Sequence, residues 1–260
     1  MAIRLINQRY ANGKLKNFFN TTDAGISSFK DLYSIEFNGI DQRVNCGDDI
    51  SLYITNKISL SAWFKTEDVT SGQRYLCGKY ENPLADNKEL GYCLVNDGNK
   101  IEFWVGRQES GPKKANGTTV LSASTWYHAV GTYDATTGIG QIYLNSVLDG
   151  SGSWSIAPIV SSSNGFYIGC YLNDNIEEDF FNGKIDEISL YNDVLSLSEI
   201  QEIWNSGKPL NLAKLDSYSK CVSWWRMGDT DSIPNVLDSK GDNDGTAVNM
   251  SSANIKTDVP

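Results

Sequence analysis

Short segments in which apolar and polar residues alternate, each closed by a turn signal, recur along most of this 260-residue chain. Residues 33–37, YSIEF, set Tyr33, Ile35 and Phe37 on one face and Ser34 and Glu36 on the other, because successive side chains of a strand point to opposite sides. Residues 57–64, KISLSAWF, repeat the pattern with Ile58, Leu60, Ala62 and Phe64. Similar runs lie at 74–80, 91–95, 100–106, 126–133, 140–145, 165–170 and 184–191. Asn96-Asp97-Gly98, Thr137-Gly138, Asp149-Gly150 and Asn182-Gly183 punctuate them. Many short strands separated by such turns predict an all-β sandwich or jelly roll.

One helix interrupts the pattern, near 196–206. Ser196 and Glu199 form a capping box that satisfies first-turn amides, Ile200, Ile203 and Trp204 make one apolar stripe, and Gly207 with Pro209 stops the helix. No strand–helix alternation supports a parallel sheet. After the helix, residues 221–229, CVSWWRMGD, read as a last strand, and the polar segment 238–245, DSKGDNDG, reads as a solvated turn. Lys240 stands at a ligand position of the calcium-loop pattern, which removes that reading.

The net charge of −10 argues against a nucleic-acid-binding surface. Arg4, Arg9, Lys14 and Lys16 all precede the first acid, Asp23. The chain therefore divides into a basic amino-terminal arm, 1–30, suited to docking on an acidic partner, and a sandwich, 31–260. No leader-like apolar stretch opens the sequence and no run reaches the roughly eighteen apolar residues of a membrane span, so neither export by its own signal nor membrane contact is expected. The five cysteines have no CxxC spacing and read as reduced, buried thiols.

The order of SIEFNGIDQRVNCG (34–47), ISLSAWFKT (58–66), TWYHAVGTYD (125–134), IYLNSVLDG (142–150) and FFNGKIDEISLYNDVLSLSEI (180–200) resembles that of laminin-G-like domains of the concanavalin A-like lectin family. The resemblance implies a jelly-roll sandwich of two antiparallel sheets with one short helix. Residues 223–260 are similar to the endings of laminin-G-like virion proteins of tailed bacteriophages. In many family members a related segment precedes the first strand, so 221–260 is expected to supply a closing strand in a cyclically rearranged order. These likenesses imply a non-enzymatic virion protein, decorating the capsid or forming a fibre. Other virion proteins and further copies of itself are the implied partners, and cell-surface polysaccharide is an implied ligand. A carbohydrate-binding or adhesion module of a bacterial surface protein is the alternative, and a divergent glycanase is a third.

Asp186 is the residue singled out for chemistry, because alternation in KIDEISLY sets it on one face with Ile188 and Leu190, where an unpaired carboxylate is costly. The family resemblance implies a structural calcium there, held with the turn Asn38, Gly39 and Asp41. Where the family carries Asp, this chain has Asn38. Trp154, Tyr80, Tyr167 and Tyr171, in a loop or near strand ends, are the candidates for stacking on sugar rings. His128, the single histidine, reads as a packed strand residue. No paired carboxylates on one strand face and no nucleophile–histidine–acid set appear, so catalysis is not expected.

Overall fold

The computed structural model describes residues 29–70, 72–82, 89–107, 111–173 and 176–260. Arg4, Arg9, Lys14 and Lys16, and with them the docking-arm expectation, lie outside the described residues. The strands begin with β1 Ser34–Asn38, β2 Arg43–Asn45, β3 Lys57–Thr66, β4 Gln73–Glu81, β5 Leu90–Asp97 and β6 Lys100–Val105. They continue with β7 Lys113–Asn116, β8 Trp126–Asp134, β9 Ile139–Leu144, β10 Val147–Ser153, β11 Tyr167–Ile168 and β12 Tyr171–Asn173. The last six are β13 Ile176–Glu178, β14 Asn182–Tyr191, β15 Cys221–Trp225, β16 Asn235–Val236, β17 Gly245–Val248 and β18 Ile255–Lys256.

These strands build an all-β jelly-roll sandwich of two large antiparallel sheets. The first runs β10-β9-β8-β3-β14-β1-β18, with β15 also on β14, and the second runs β16-β17-β2-β11-β4-β5-β6-β7. β12 and β13 pair as a separate hairpin. The alternating apolar residues meet between the sheets: Ile35, Leu60, Phe64, Ile185 and Leu190 from the first face Val44, Leu76, Leu94 and Phe103 from the second. Phe166 and Trp225 stack at 4.8 Å in this core. Burying each such side chain contributes about 1.5–3 kcal/mol. All five cysteines are free and buried. Among the described residues no helix is long and apolar enough to cross a membrane.

The carboxyl-terminal residues are woven through both sheets. β15 pairs with β14, β17 with β2, and β18 with β1. The expectation of a solvated turn at 238–245 is corrected. Asp238 is buried and accepts N–H groups of Trp224, Lys240, Gly241 and Asn243 at 2.8, 2.9, 2.9 and 3.2 Å. The Trp225 indole N–H reaches the Asn243 carbonyl at 2.7 Å. A carboxylate accepting four backbone donors organises this loop from within.

Alternation along β14 is broken at one place. β3 pairs with β14 from Gly183 to Tyr191, but two residues of β14 between Asp186 and Ser189 match one of β3 between Trp63 and Ser61. The extra residue is a β-bulge, and Glu187 there has φ +44°. The bulge changes the phase of the strand. Asp186 lies opposite Trp63, whereas Ile188 and Leu190 belong to the core. Asp186 is therefore on the outer side of the sheet with Lys184, not on the apolar side with Ile188 as the sequence suggested.

Helix α1, Leu197–Trp204, has the expected capping box from Ser196 and Glu199, and buries Ile200 and Ile203. It ends two residues earlier than the glycine signal: Asn205, at φ 43°, is the left-handed cap, a conformation Asn tolerates better than most residues.

Two polar features of the first sheet's outer side have consequences for pH. Residue 258 crosses it, with the Asp258 carboxylate accepting from Lys65 at 2.8 Å and from the Trp126 indole at 3.1 Å. Burial opposes ionisation of Asp258, but the bonds from Lys65, Trp126 and Lys184 outweigh it and hold its pKa at about 2. The stability this adds is present above the ordinary Asp value and is lost as pH falls toward 2. Asp258→Asn should therefore lower Tm at neutral pH, with the gap to wild type closing below about pH 4; an equal gap at pH 7 and pH 2.5 contradicts the assignment. His128 is fully buried beside the Ser61 hydroxyl, 2.8 Å from Nε2, and burial drives its pKa down to about 3. Stability present above the unfolded value of about 6.5 is lost as pH falls toward 3, at no more than about 1.4 kcal/mol per pH unit. His128→Gln should flatten the dependence of Tm on pH between about 6.5 and 4, which thermal melts in matched buffers would check.

Candidate functional site

The structure separates the residues expected to share a calcium ion. Asn38 lies opposite Asn182 in the β1–β14 register, four residues from Asp186 along β14, or about 13 Å at the rise of a strand. The turn is also internally satisfied. Asn38 Oδ1 accepts the N–H groups of Ile40 and Asp41, and its amide donates to Asp41 Oδ1 at 2.8 Å. Asp41 Oδ2 takes the Asn249 amide at 3.1 Å. The set Asp186, Asn38, Gly39 and Asp41 is thus not one metal site.

The aromatic candidates do not form an exposed platform. Tyr80, Tyr167 and Tyr171 are buried. Tyr80 and Tyr171 join Tyr75 and Trp104 in a second apolar cluster, in which Tyr75 stacks on Tyr171 at 4.3 Å. Lys114 caps the Trp104 ring at 3.6 Å. Trp154 lies over Gly140 and Gly152, whose absent Cβ positions fall 2.4 and 2.3 Å from its ring. Tyr80 and Tyr171, packed against protein rings, are not free to stack on a sugar, and the β12–β13 hairpin that brings Tyr171 onto Tyr75 is a non-local feature that strand spacing does not announce; Trp154 is half-buried.

Two other places gather polar groups, and the sequence reading named few of their residues. The first is a groove of about 370 Å³ at the end of β1 and β14, lined in part by Glu36, Asn38, Gln42, Glu67, Asn182, Asn254 and Lys256. Gly39, at φ +70°, lets the chain turn tightly against Asn182, whose Cβ would lie 2.7 Å from any side chain at 39. Asn254 is fixed by donating to the Glu36 carbonyl at 2.9 Å and to Gln42 at 3.1 Å. Burial opposes ionisation of Glu36, yet Lys256 and Lys184 outweigh it and hold its carboxyl below the ordinary value. Amides, carboxylates and an ammonium group converge on one open concavity.

The second place is the bulge in β14. β3 occupies one edge of β14 throughout, so β1 and β15 must share the other, and they do so end to end: β1 pairs with residues 182–185 and β15 with 188–191. Asp186 and Glu187 lie at the gap. Asp31 precedes β1 and Asp229 follows β15, and carboxylate oxygens of Asp31, Glu187 and Asp229 come within 4.8 Å of one another. Arg226 donates to Glu187 at 3.1 Å and to Asp229 at 2.8 Å; the Trp224 indole also donates to Glu187. Asp186 Oδ1 accepts the Glu187 N–H at 2.8 Å, while its buried Oδ2 and both oxygens of Asp31 have no donor. Burial, then the neighbouring Asp229, lifts the Asp31 carboxyl to about 7, against the pull of Arg226. Burial likewise lifts Glu187 to about 8 despite Arg226, and raises Asp186, with Glu187, Asp31 and Asp229 adding to it. The legible signal was the acid at the end of WWRMGD; Asp31 and Glu187 carried none.

Two polar groupings invite a catalytic reading, and neither has its geometry. Ser61 and His128 resemble half of a triad, but both are buried and His128 Nδ1 has no partner to orient it. The carboxylates at the gap, of which Asp186 and Glu187 are buried, are closer together than the separation of about 5 Å or more that flanks a glycosidic bond.

Comparison with known proteins agrees with the architecture. The profile described as "Concanavalin A-like lectin/glucanases superfamily" matches residues 38–201. No curated protein sequence matches the chain. Among solved structures, a putative carbohydrate binding protein from Bacteroides ovatus is similar at TM-score 0.65 and 18% identity, over 88% of this chain and 60% of that one. This chain thus spans less than two thirds of that protein's length. The CBM40 of the Ruminococcus gnavus IT-sialidase, bound to α2,3 sialyllactose, is similar at TM-score 0.52 and 14% identity, over 68% of this chain and 99% of that one. At such identities the structural likeness speaks for the fold, and the profile match over more than half of the sequence speaks for descent: the chain belongs to the concanavalin A-like lectin/glucanase superfamily.

Proposed function

We propose that this protein is a non-enzymatic carbohydrate-binding module that takes a hydroxyl-rich ligand in the groove at the end of β1 and β14. The observation that carries the reading is the lining of that groove, where Asn182, Glu67 and Lys256 offer donors and acceptors together. Sugars are recognised by such convergent polar groups, and the groove's volume falls within the range of small-ligand sites. The lectin-like fold and the sialyllactose-bound relative support the same reading.

A narrower setting is a decoration or fibre protein of a tailed phage, in which the module holds the particle to host-surface polysaccharide. Its support is the likeness of residues 223–260 to virion-protein endings and the basic residues Arg4, Arg9, Lys14 and Lys16. That setting predicts a symmetric oligomer or association with other virion proteins, read by sizing at physiological salt. A bacterial surface module would bind the same class of ligand through the same groove and remain a monomer.

Glycan-array screening followed by calorimetry tests the binding reading. Asn182→Ala should weaken the best ligand by about 3–10-fold, the effect of losing one hydrogen bond of about 0.5–1.5 kcal/mol, without changing Tm. Absence of any glycan ligand, or unchanged affinity in the variant, contradicts the assignment.

A further inference from the structure

Lys79 stands on the apolar side of its strand. Cys77, two positions earlier on β4, and Tyr92, opposite Lys79 on β5, both belong to the core between the sheets, so alternation turns the Lys79 side chain inward as well. That side chain is 0% exposed, and its Nζ donates to the Asp48 carboxylate and to the Asn164 carbonyl. The Tyr53 ring lies 4.2 Å from the same nitrogen. Burial pulls the Lys79 ammonium below its ordinary value, against Asp48 and Glu81. Taking an ammonium and a carboxylate out of water is costly even when they pair. The backbone around the pair is fixed: the Phe166 N–H holds the Gly47 carbonyl at 2.8 Å, Asp49 caps the turn that follows, and the Ser162 hydroxyl accepts the Asn164 N–H at 2.9 Å. The Tyr53 hydroxyl donates to the other oxygen of Asp48, Oδ2, at 2.8 Å. An amine and a carboxyl group are thus held against each other, with a donor already on the oxygen where charge would develop.

We propose that Lys79 and Asp48 condense into an intramolecular isopeptide bond between Lys79 Nζ and Asp48 Cγ. The ammonium first passes a proton to Asp48 Oδ1, leaving a neutral amine and a carboxylic acid. The amine lone pair attacks Cγ and forms the N–C bond, and Tyr53 stabilises the negative charge that appears on Oδ2. The Cγ–Oδ1 bond then breaks, and the hydroxyl leaves as water with a proton from the nitrogen. Oδ2 remains as the amide oxygen, nothing is oxidised or reduced, and no co-reactant is consumed. Asp48 is 41% exposed, so the released water has a way out, while the nitrogen stays shielded. Fixing both groups in advance supplies the proximity that such a condensation lacks in solution. The product is neutral, which removes the buried ammonium and its desolvation cost. The bond closes a loop of about thirty residues and ties β4 to the turn after β2, a cross-link of the kind that restricts the unfolded chain. Neither Lys79 nor Asp48 lines the groove, so the bond and carbohydrate binding stand or fall separately.

Intact-mass spectrometry of the denatured full chain tests the bond. Wild type should be lighter than its sequence by one water. Trypsin should leave a branched peptide in which Asp48 is attached to Lys79, with no cleavage after Lys79, and fragmentation should read the junction. Asp48→Ala changes an exposed turn residue and Lys79→Met keeps much of the side-chain bulk; both, checked for folding by circular dichroism, should have the full mass of their sequences. Wild type at full sequence mass would overturn the proposal and leave an ordinary buried ion pair. A missing water that persists in Asp48→Ala would also overturn it, because a succinimide at an Asp-Gly step such as Asp149-Gly150 loses the same mass. Free tryptic cleavage after Lys79 in the wild type would do so equally.

Discussion

A strand has two edges, and in this protein the arrangement of the first sheet follows from how those of β14 are filled. One edge is taken by β3 over nearly its whole length. The other is too long for either β1 or β15, so both are laid along it in series and in the same direction. Every unpaired backbone group buried at the junction carries a cost. The bulge at Asp186 and Glu187 lies there, so the unpaired stretch of β14 is short and rich in side-chain acceptors. Segments far apart in sequence, 31–38 and 221–229, depend on this one edge for their place in the sheet.

Charge is handled differently on the two sides of that junction. On the outer side of the first sheet, lysines at 65, 184 and 256 alternate with Glu36 and Asp258, and each acid has a cation beside it. Such partly exposed pairs contribute little individually, but they pin residues around 258 across the sheet. At the junction, among the described residues, acids outnumber cations, and Asp186 and Glu187 are buried. The same element, β14, thus carries a balanced surface at Lys184 and an unbalanced interior two residues later.

The parts of the fold that were legible in the sequence are those set by local rules. Alternation located the long strands within a residue or two, and the Ser196–Glu199 capping box located the helix. The bulge was missed although KIDEISLY breaks its own alternation: Ile185 and Ile188, both core residues, stand three apart, and grouping Asp186 with Ile188 and Leu190 put Ile185 on the wrong face; a left-handed residue that is neither Gly nor Asn gives no further warning. Asp238 looked solvated because acid-rich loops usually are, whereas its role as an acceptor for four amides appears only once Trp224 is beside it. The tyrosines at 80 and 171 looked like surface rings because they pack on each other and on Tyr75 only once the hairpin that carries Tyr171, distant in sequence from β4, lies against that strand. The groove was legible only at Asn38, since Glu67, Asn182 and Asn254 come from turns with no shared signature.

The series arrangement of β15 and β1 has one more consequence, for the order in which this fold can be written. β18 runs back along β1, with Lys256 opposite Ser34, and the Ser34 hydroxyl meets the Asp258 carbonyl at 2.7 Å. Residues 257–260 thus run beside the residues that lead into β1. Joining residue 260 to residue 31 by a few glycines would close the sandwich into a ring at small entropic cost, and the ring could be reopened in the polar turn after α1. A chain so recut would read β15 before β1, with β16 to β18 between them, the same order in which the two strands follow one another along β14.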